Sequence, residues 1–235
     1  MKSFSLRLAA AAAGLALLSV SAQAQDVTGA GASFPAPVYA KWAEAYNKAS
    51  GARINYQSVG STSGITNLTN GNFAFAASDA PLNAQQAGQM SDAIHIPAVF
   101  GAVALTFNLS GVSSLKLDGP TIANIYMGKI TKWNDPAIKS LNPNATLPST
   151  SITVVHRSDG SGTTFIFTTY LSKVSAEWAS KHGAKTAPDV FPIGLGGAKN
   201  DGVTANVTRT NGAIGYVELA YAKNHKPAPL PVARL

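Results

Sequence analysis

Short apolar runs alternate with amphipathic stretches along most of this chain. Apolar positions at helical spacing predict helices over 37–48, 62–70, 83–90, 121–126 and 162–172. Runs rich in β-branched and aromatic residues predict strands over 53–59, 73–77, 96–107, 152–156 and 213–217. Such alternation predicts an α/β protein with mostly parallel sheets and flanking helices. The apolar run 96–105 reads as a strand buried on both faces, at the point where the chain crosses from a first lobe (25–98) to a second (99–224). Trp42, Tyr46, Trp133 and Trp178 fall on stretches read as helical and are expected to be packing residues. The Pro- and Asn-rich 142–150 reads as a connection, and the proline-rich 225–235 as a linker-like tail.

The first 24 residues follow a different pattern. Lys2 and Arg7 precede an apolar stretch over 8–20, and Ala22-Gln23-Ala24 offers a small-x-small cleavage site before Gln25. This predicts a secretory signal peptide over 1–24, because a spanning helix needs roughly 18 apolar residues or more. No cysteine follows the cleavage site, so no lipid anchor is expected. With no cysteine anywhere, the exported chain must draw its stability from a packed core. Without Lys2 and Arg7 the 18 basic residues become 16 against 11 acidic ones, a net +5 that favours small anions as ligands. The basic residues are scattered, with no stripe and no interleaved aromatics, which argues against nucleic acid.

Chemistry concentrates at turns that open helices. Arg157-Ser158-Asp159-Gly160-Ser161-Gly162-Thr163-Thr164 gathers hydroxyls, glycines and one arginine where a helix begins. A helix start leaves N–H groups without intrahelical partners and carries partial positive charge, which suits an oxyanion. Arg157 adds a planar fork matched to phosphate, sulfate or carboxylate. An ordinary capped start, with Asp159 or Ser161 as N-cap, uses the same residue types. Gly60-Ser61-Thr62-Ser63-Gly64 repeats the arrangement after a predicted strand, and Thr28-Gly29-Ala30-Gly31-Ala32-Ser33-Phe34-Pro35 does so ahead of the helix that Pro35 begins. Three such turns with one arginine point to a tetrahedral oxyanion.

Enzymatic readings find little support. His95, His156, His182 and His225 are scattered and match no metal-ligand spacing, and His156 reads as a structural residue at a strand end. Gly60–Gly64 has Thr62 at its centre and so misses the nucleophile elbow, while Gly160–Thr163 lacks the lysine of a P-loop. Without an activated nucleophile, phosphatase or serine-hydrolase activity is the weakest reading. No cofactor is implied.

The segments Gly29-Ala30-Gly31-Ala32-Ser33-Phe34-Pro35-Ala36-Pro37-Val38-Tyr39, Ala77-Ser78-Asp79-Ala80-Pro81, Asp159-Gly160-Ser161-Gly162-Thr163 and Gly212-Ala213-Ile214-Gly215-Tyr216-Val217 resemble, in order, the periplasmic phosphate-binding proteins (PstS family) of high-affinity phosphate ABC transporters. The resemblance implies a two-lobed periplasmic binding protein of type II, a monomer, that closes on inorganic phosphate and delivers it to an inner-membrane permease and its ATPase complex. It places the ligands at Ser33, Phe34 through its backbone N–H, Ser61, Asp79, Arg157, Ser161, Gly162 and Thr163, with Asp159 bracing Arg157. Ser33 stands where the family commonly has threonine, and the hydroxyl is kept. Asp79 would act as a filter: hydrogenphosphate can donate a proton to an ionised carboxylate, whereas sulfate at neutral pH cannot. Members of the family run further, returning to complete the first lobe. This chain therefore resembles a truncated or frameshifted member with an incomplete first lobe, and a secreted relative with weak or no phosphate binding and an interaction role is the alternative.

Overall fold

The computed structural model describes residues 26–226 and 228–235, so the leader expected over 1–24 lies outside the described residues. Two sheets form, one in each half. In the first half, β1 (Val27–Gly31) lies between β2 (Ile54–Ser58) and β3 (Phe75–Ala77), all parallel. Helices α1 (Ala36–Ser50), α2 (Ser61–Thr69) and α3 (Ala84–Gln89) connect or follow these strands. The sequence pattern did not predict β1, because Val-Thr-Gly-Ala-Gly has little strand character. Its glycines serve close packing instead: a Cβ on Gly29 would lie 2.3 Å from the Phe75 ring, and one on Gly64 of α2 would lie 2.4 Å from the Gly31 Cα.

The second half carries β4 (Val103–Asn108), β5 (Thr153–Arg157), β6 (Leu195–Gly197) and β7 (Ala213–Glu218) in the order β4-β7-β5-β6. Only the β4–β7 pairing is antiparallel among the described strands. Around this sheet pack α4 (Gly119–Tyr126), α5 (Pro136–Leu141), α6 (Gly162–Val174), α7 (Ala176–Lys181), α8 (Lys199–Arg209) and α9 (Leu219–Lys223). The main core sits here, built from Phe107, Leu117, Ile122, Tyr126, Trp133, Leu171, Trp178 and Tyr216 among others.

Several expectations are corrected. The strand expected over 96–107 begins only at Val103, whose partner Glu218 is the last residue of β7. Upstream of it the chain has no ladder to join, and Ile96 and Phe100 are 74% and 98% exposed rather than buried. Trp133 is fully buried but lies in a turn ahead of α5, where its indole N–H donates to the Gly212 carbonyl at 3.0 Å. Trp42 and Tyr46 do lie on α1, yet both are about half exposed and α1 buries none of its residues. Trp178 matches its expectation, buried on α7.

The end of the chain is not a free linker. Val232 bridges Thr106 of β4, the Ala233 N–H donates to the Leu105 carbonyl at 2.9 Å, and Arg234 donates its N–H to the Leu115 carbonyl at 2.8 Å while its own carbonyl accepts the Leu117 N–H at 2.9 Å. This segment covers the outer edge of β4, which would otherwise present unpaired backbone groups.

Candidate functional site

The two halves meet where the three hydroxyl-rich turns converge. Ser161 is the N-cap of α6, its hydroxyl accepting the Thr164 N–H at 3.1 Å, so the following N–H groups point outward from the helix start. The Gly162 N–H donates to Ser61 Oγ of the first half at 3.0 Å, and the Thr163 hydroxyl donates to Asp79 Oδ2 at 3.0 Å. No side chain fits between these turns: a Cβ on Gly162 would lie 2.6 Å from the Asp79 Cβ. A Cβ on Gly60 would lie 2.5 Å from Asp159 Oδ2, and Gly60 has φ +93°, so glycine is required there twice over.

Arg157 closes the end of β5 and is almost fully buried. Asp159 holds it through two bonds, Nε to Oδ1 at 2.8 Å and Nη2 to Oδ2 at 2.5 Å. This fixes the plane of the guanidinium while leaving its remaining N–H groups for an anion. Asp159 is itself oriented by the Lys199 N–H, 2.9 Å from Oδ1. Beneath the site, the buried Tyr216 hydroxyl accepts the Arg157 N–H at 3.1 Å and lies 2.7 Å from Thr164 Oγ1. His156, next to Arg157, bonds the Arg157 carbonyl through Nδ1 and stacks on Phe191.

Asp79 is the exceptional charge. Burial pushes its carboxyl up from 3.8 to about 6, against the opposing pull of the Thr163 hydroxyl and the Arg157 guanidinium. At neutral pH it is ionised, an acceptor placed among donors.

Of the residues singled out from sequence, Ser61, Asp79, Arg157, Asp159, Ser161, Gly162 and Thr163 gather at this junction. Ser33 is buried and reaches the second half through Asn200, whose backbone N–H and Nδ2 both donate to Ser33 Oγ at 3.2 and 2.8 Å. Phe34 lays its ring against Gly101, where a Cβ would lie 2.6 Å from the ring. Sequence reading missed Lys199, Asn200, Tyr216 and Tyr221, the last of which donates to the Ser33 carbonyl at 2.6 Å. Tyr216 lay inside a quoted motif without a role. The polar run Lys199-Asn200-Asp201-Gly202 carried a helix-start signal that was available. Among the described residues no cluster could hold a metal ion, and no helix is long and apolar enough to cross a membrane.

A family model described as the PBP superfamily domain matches residues 19–231. The chain is 48% identical over 212 residues to the phosphate-binding protein PstS of Pasteurella multocida, covering 89% of this chain and 61% of that one. It is also 48% identical over 202 residues to the protein of the same name from Xylella fastidiosa strain 9a5c, covering 85% and 55%. The chain thus spans roughly three-fifths of the length of these relatives. Among solved structures, a phosphate-binding protein from Stenotrophomonas maltophilia superposes with a TM-score of 0.69 at 24% identity, covering 90% of this chain and 64% of that one. A high-affinity periplasmic phosphate-binding protein bound with phosphate gives 0.71 at 24% identity, covering 89% and 61%. These structures share the fold.

Proposed function

The chain belongs to the PBP superfamily, and from that membership we propose that it binds inorganic phosphate in the periplasm, as a monomer, and passes it to an inner-membrane ABC permease with its ATPase complex. Ser33, the Phe34 N–H, Ser61, Arg157, Ser161, Gly162 and Thr163 supply donors or positive charge, and Asp79 supplies an acceptor for the proton of hydrogenphosphate. Asp159 braces Arg157. The two lobes are residues 25–98 and 99–224, the leader over 1–24 is removed on export, and the chain catalyses no reaction.

The observation that carries this reading is the pairing of Asp79 with Thr163 across the two halves, beside the buried Arg157. A site meant for any small anion gains nothing from a carboxylate. One meant for a protonated oxyanion does, because a ligand without the proton offers the carboxylate no hydrogen bond and faces it with like charge. The relatives' shared name supports phosphate in particular. The exposed aromatic face of α1 favours a second reading, a secreted relative with weak or no phosphate binding and an interaction role.

Calorimetric titration of the chain from Gln25 onward with phosphate and with sulfate at neutral pH tests the proposal. Phosphate is expected to bind and sulfate not, with Asp79→Asn narrowing the gap because an amide can donate to either anion. Comparable affinities in the parent would end the filter argument.

A further inference from the structure

Ser33 is the one hydroxyl of the candidate site that is held by side-chain and backbone donors of a single residue. Asn200, at the start of α8, is fully buried, and gives Ser33 Oγ both its backbone N–H and its Nδ2–H. The orientation of its amide is fixed from the other side. Oδ1 accepts the Glu218 N–H at 2.9 Å, and a backbone N–H can only donate, so Nδ2 must be the atom that faces Ser33. Lys199, just before it, has φ +60°, a left-handed conformation that is costly for a residue other than glycine. That turn sends two successive N–H groups to different targets: Lys199 to Asp159, and Asn200 to Ser33.

A serine hydroxyl has one hydrogen to give and two lone pairs to receive with. Asn200 occupies both lone pairs. We propose that Asn200 is a positioning residue that leaves Ser33 able to present only its hydrogen to the bound anion and that latches the first half of the chain onto the second through the same two bonds. The first part rests on the phosphate reading above; the latch does not. Without Asn200, Ser33 Oγ would be free to point a lone pair at an anion, and the Tyr221 bond to its carbonyl would be the remaining side-chain tie at this residue.

Two variants separate these roles. Asn200→Ala removes the Nδ2 donor, while Asn200→Asp keeps an acceptor for the Glu218 N–H but offers Ser33 Oγ an acceptor instead of a donor. The carboxylate would take the Ser33 hydrogen for itself. Both should weaken phosphate binding about tenfold or more, on the scale of losing a charge-assisted hydrogen bond. In a Ser33→Ala background, Asn200→Ala should then change the affinity by less than about twofold, because residues that act through one another are not additive. A merely structural Asn200 would cost the same in both backgrounds, and that result, or an unchanged affinity in both Asn200 variants, overturns the positioning role.

If the parent binds no phosphate, the phosphate reading itself fails, and small-angle scattering of the ligand-free chains decides the latch. Asn200→Ala, which removes the Nδ2 bond, should raise the radius of gyration, Ser33→Ala, which removes both bonds, should raise it at least as much, and the double variant no further than Ser33→Ala, while Asn200→Asp, whose carboxylate still bonds Ser33, should stay compact. A radius unchanged in Asn200→Ala overturns the latch. Thermal melting of each variant identifies any that has failed to fold, and Asn200→Asp, which keeps the Glu218 bond, carries the phosphate arm should Asn200→Ala be that one.

Discussion

The Thr163 hydroxyl donates to Asp79 Oδ2 at 3.0 Å, joining the first turn of α6 to the end of β3 across 84 residues of sequence. This bond ties an acid whose carboxyl is pushed up to about 6 to the helix start that carries the polar turn of the second half. The consequence is a pH dependence with a definite sign. The folded pKa lies above the unfolded one, so the folded chain holds more protons between pH 4 and 6. Stability from protonated Asp79 is fully present below about pH 4 and is lost as pH rises through about 6. Thermal melts of the parent and of Asp79→Asn from pH 4 to 7 should therefore converge in the parent's favour as pH falls. The relative gain should be about 1–2 kcal/mol, allowing for the partial exposure of Asp79. A difference between the two chains that is flat with pH would show that Asp79 titrates normally.

Arg157 is the charge proposed to attract the anion. Its burial and its fork held by Asp159 mean that truncation removes an oriented cation and leaves Asp159 without its partner. Arg157→Ala should weaken phosphate binding by about 2–5 kcal/mol, the scale for truncating one member of a buried hydrogen-bonded charge pair. Arg157→Lys should recover part of this, since an ammonium carries the charge but not the planar fork. Calorimetry on the three chains checks both statements, and an alanine variant that binds like the parent would move the site elsewhere.

How much of this was legible in the sequence depends on the range of the interactions. The helix starts within Gly60–Gly64 and Asp159–Thr163 were legible because the chemistry that opens a helix is local, written within a few consecutive residues. The helices at 37–48 and 162–172 were legible from their spacing, and the structure extends them to Ala36–Ser50 and Gly162–Val174. β1 was hidden, because its glycines are dictated by Phe75 and α2 rather than by strand propensity. The run 96–102 was misread because apolar composition says nothing about whether a neighbouring strand exists to pair with it. Asn200 was out of reach for a related reason: its partner Ser33 lies 167 residues away, and nothing near Asn200 in the sequence marks that contact.

Tyr216 supplies a test of the floor beneath the site. Its hydroxyl is fully buried, bonded to the Arg157 N–H and to Thr164 Oγ1, and burial pushes its pKa well above that of a free tyrosine. Tyr216→Phe conserves the ring stack on Phe167, whose centroid lies 4.5 Å away, but leaves the Arg157 N–H and the Thr164 hydroxyl without this partner. The loss should be about 1–3 kcal/mol of stability, the cost of an unsatisfied buried donor. Denaturant unfolding measures it. Unchanged stability would mean that other groups take up both bonds.

The last prediction concerns the first half of the chain, where three of the proposed contacts, Ser33, Ser61 and Asp79, are mounted. Its buried apolar side chains among the described residues are Ala30, Ala32, Ile65, Ala77 and Ala80, four alanines and one isoleucine. Removing so little apolar surface from water contributes little free energy, whereas the second half buries two tryptophans, two tyrosines and six leucines. Meanwhile an apolar groove of about 420 Å³ stays open between α1 and the sheet, lined by Tyr39, Trp42, Tyr46, Ile54, Tyr56 and Phe75. Closure on an anion must then order a loosely held half, and that cost comes out of the affinity even when every polar contact is made. The purified chain from Gln25 onward should therefore bind an apolar fluorescent dye and unfold over a broad temperature range. Phosphate should shift that transition only slightly, because stabilisation by a ligand follows its affinity for the folded state. Trp42→Gln together with Tyr46→Gln should reduce the dye signal without lowering the melting temperature, since α1 buries neither side chain. A single sharp transition that rises steeply with phosphate would show instead that the few contacts of the first half are sufficient to hold it.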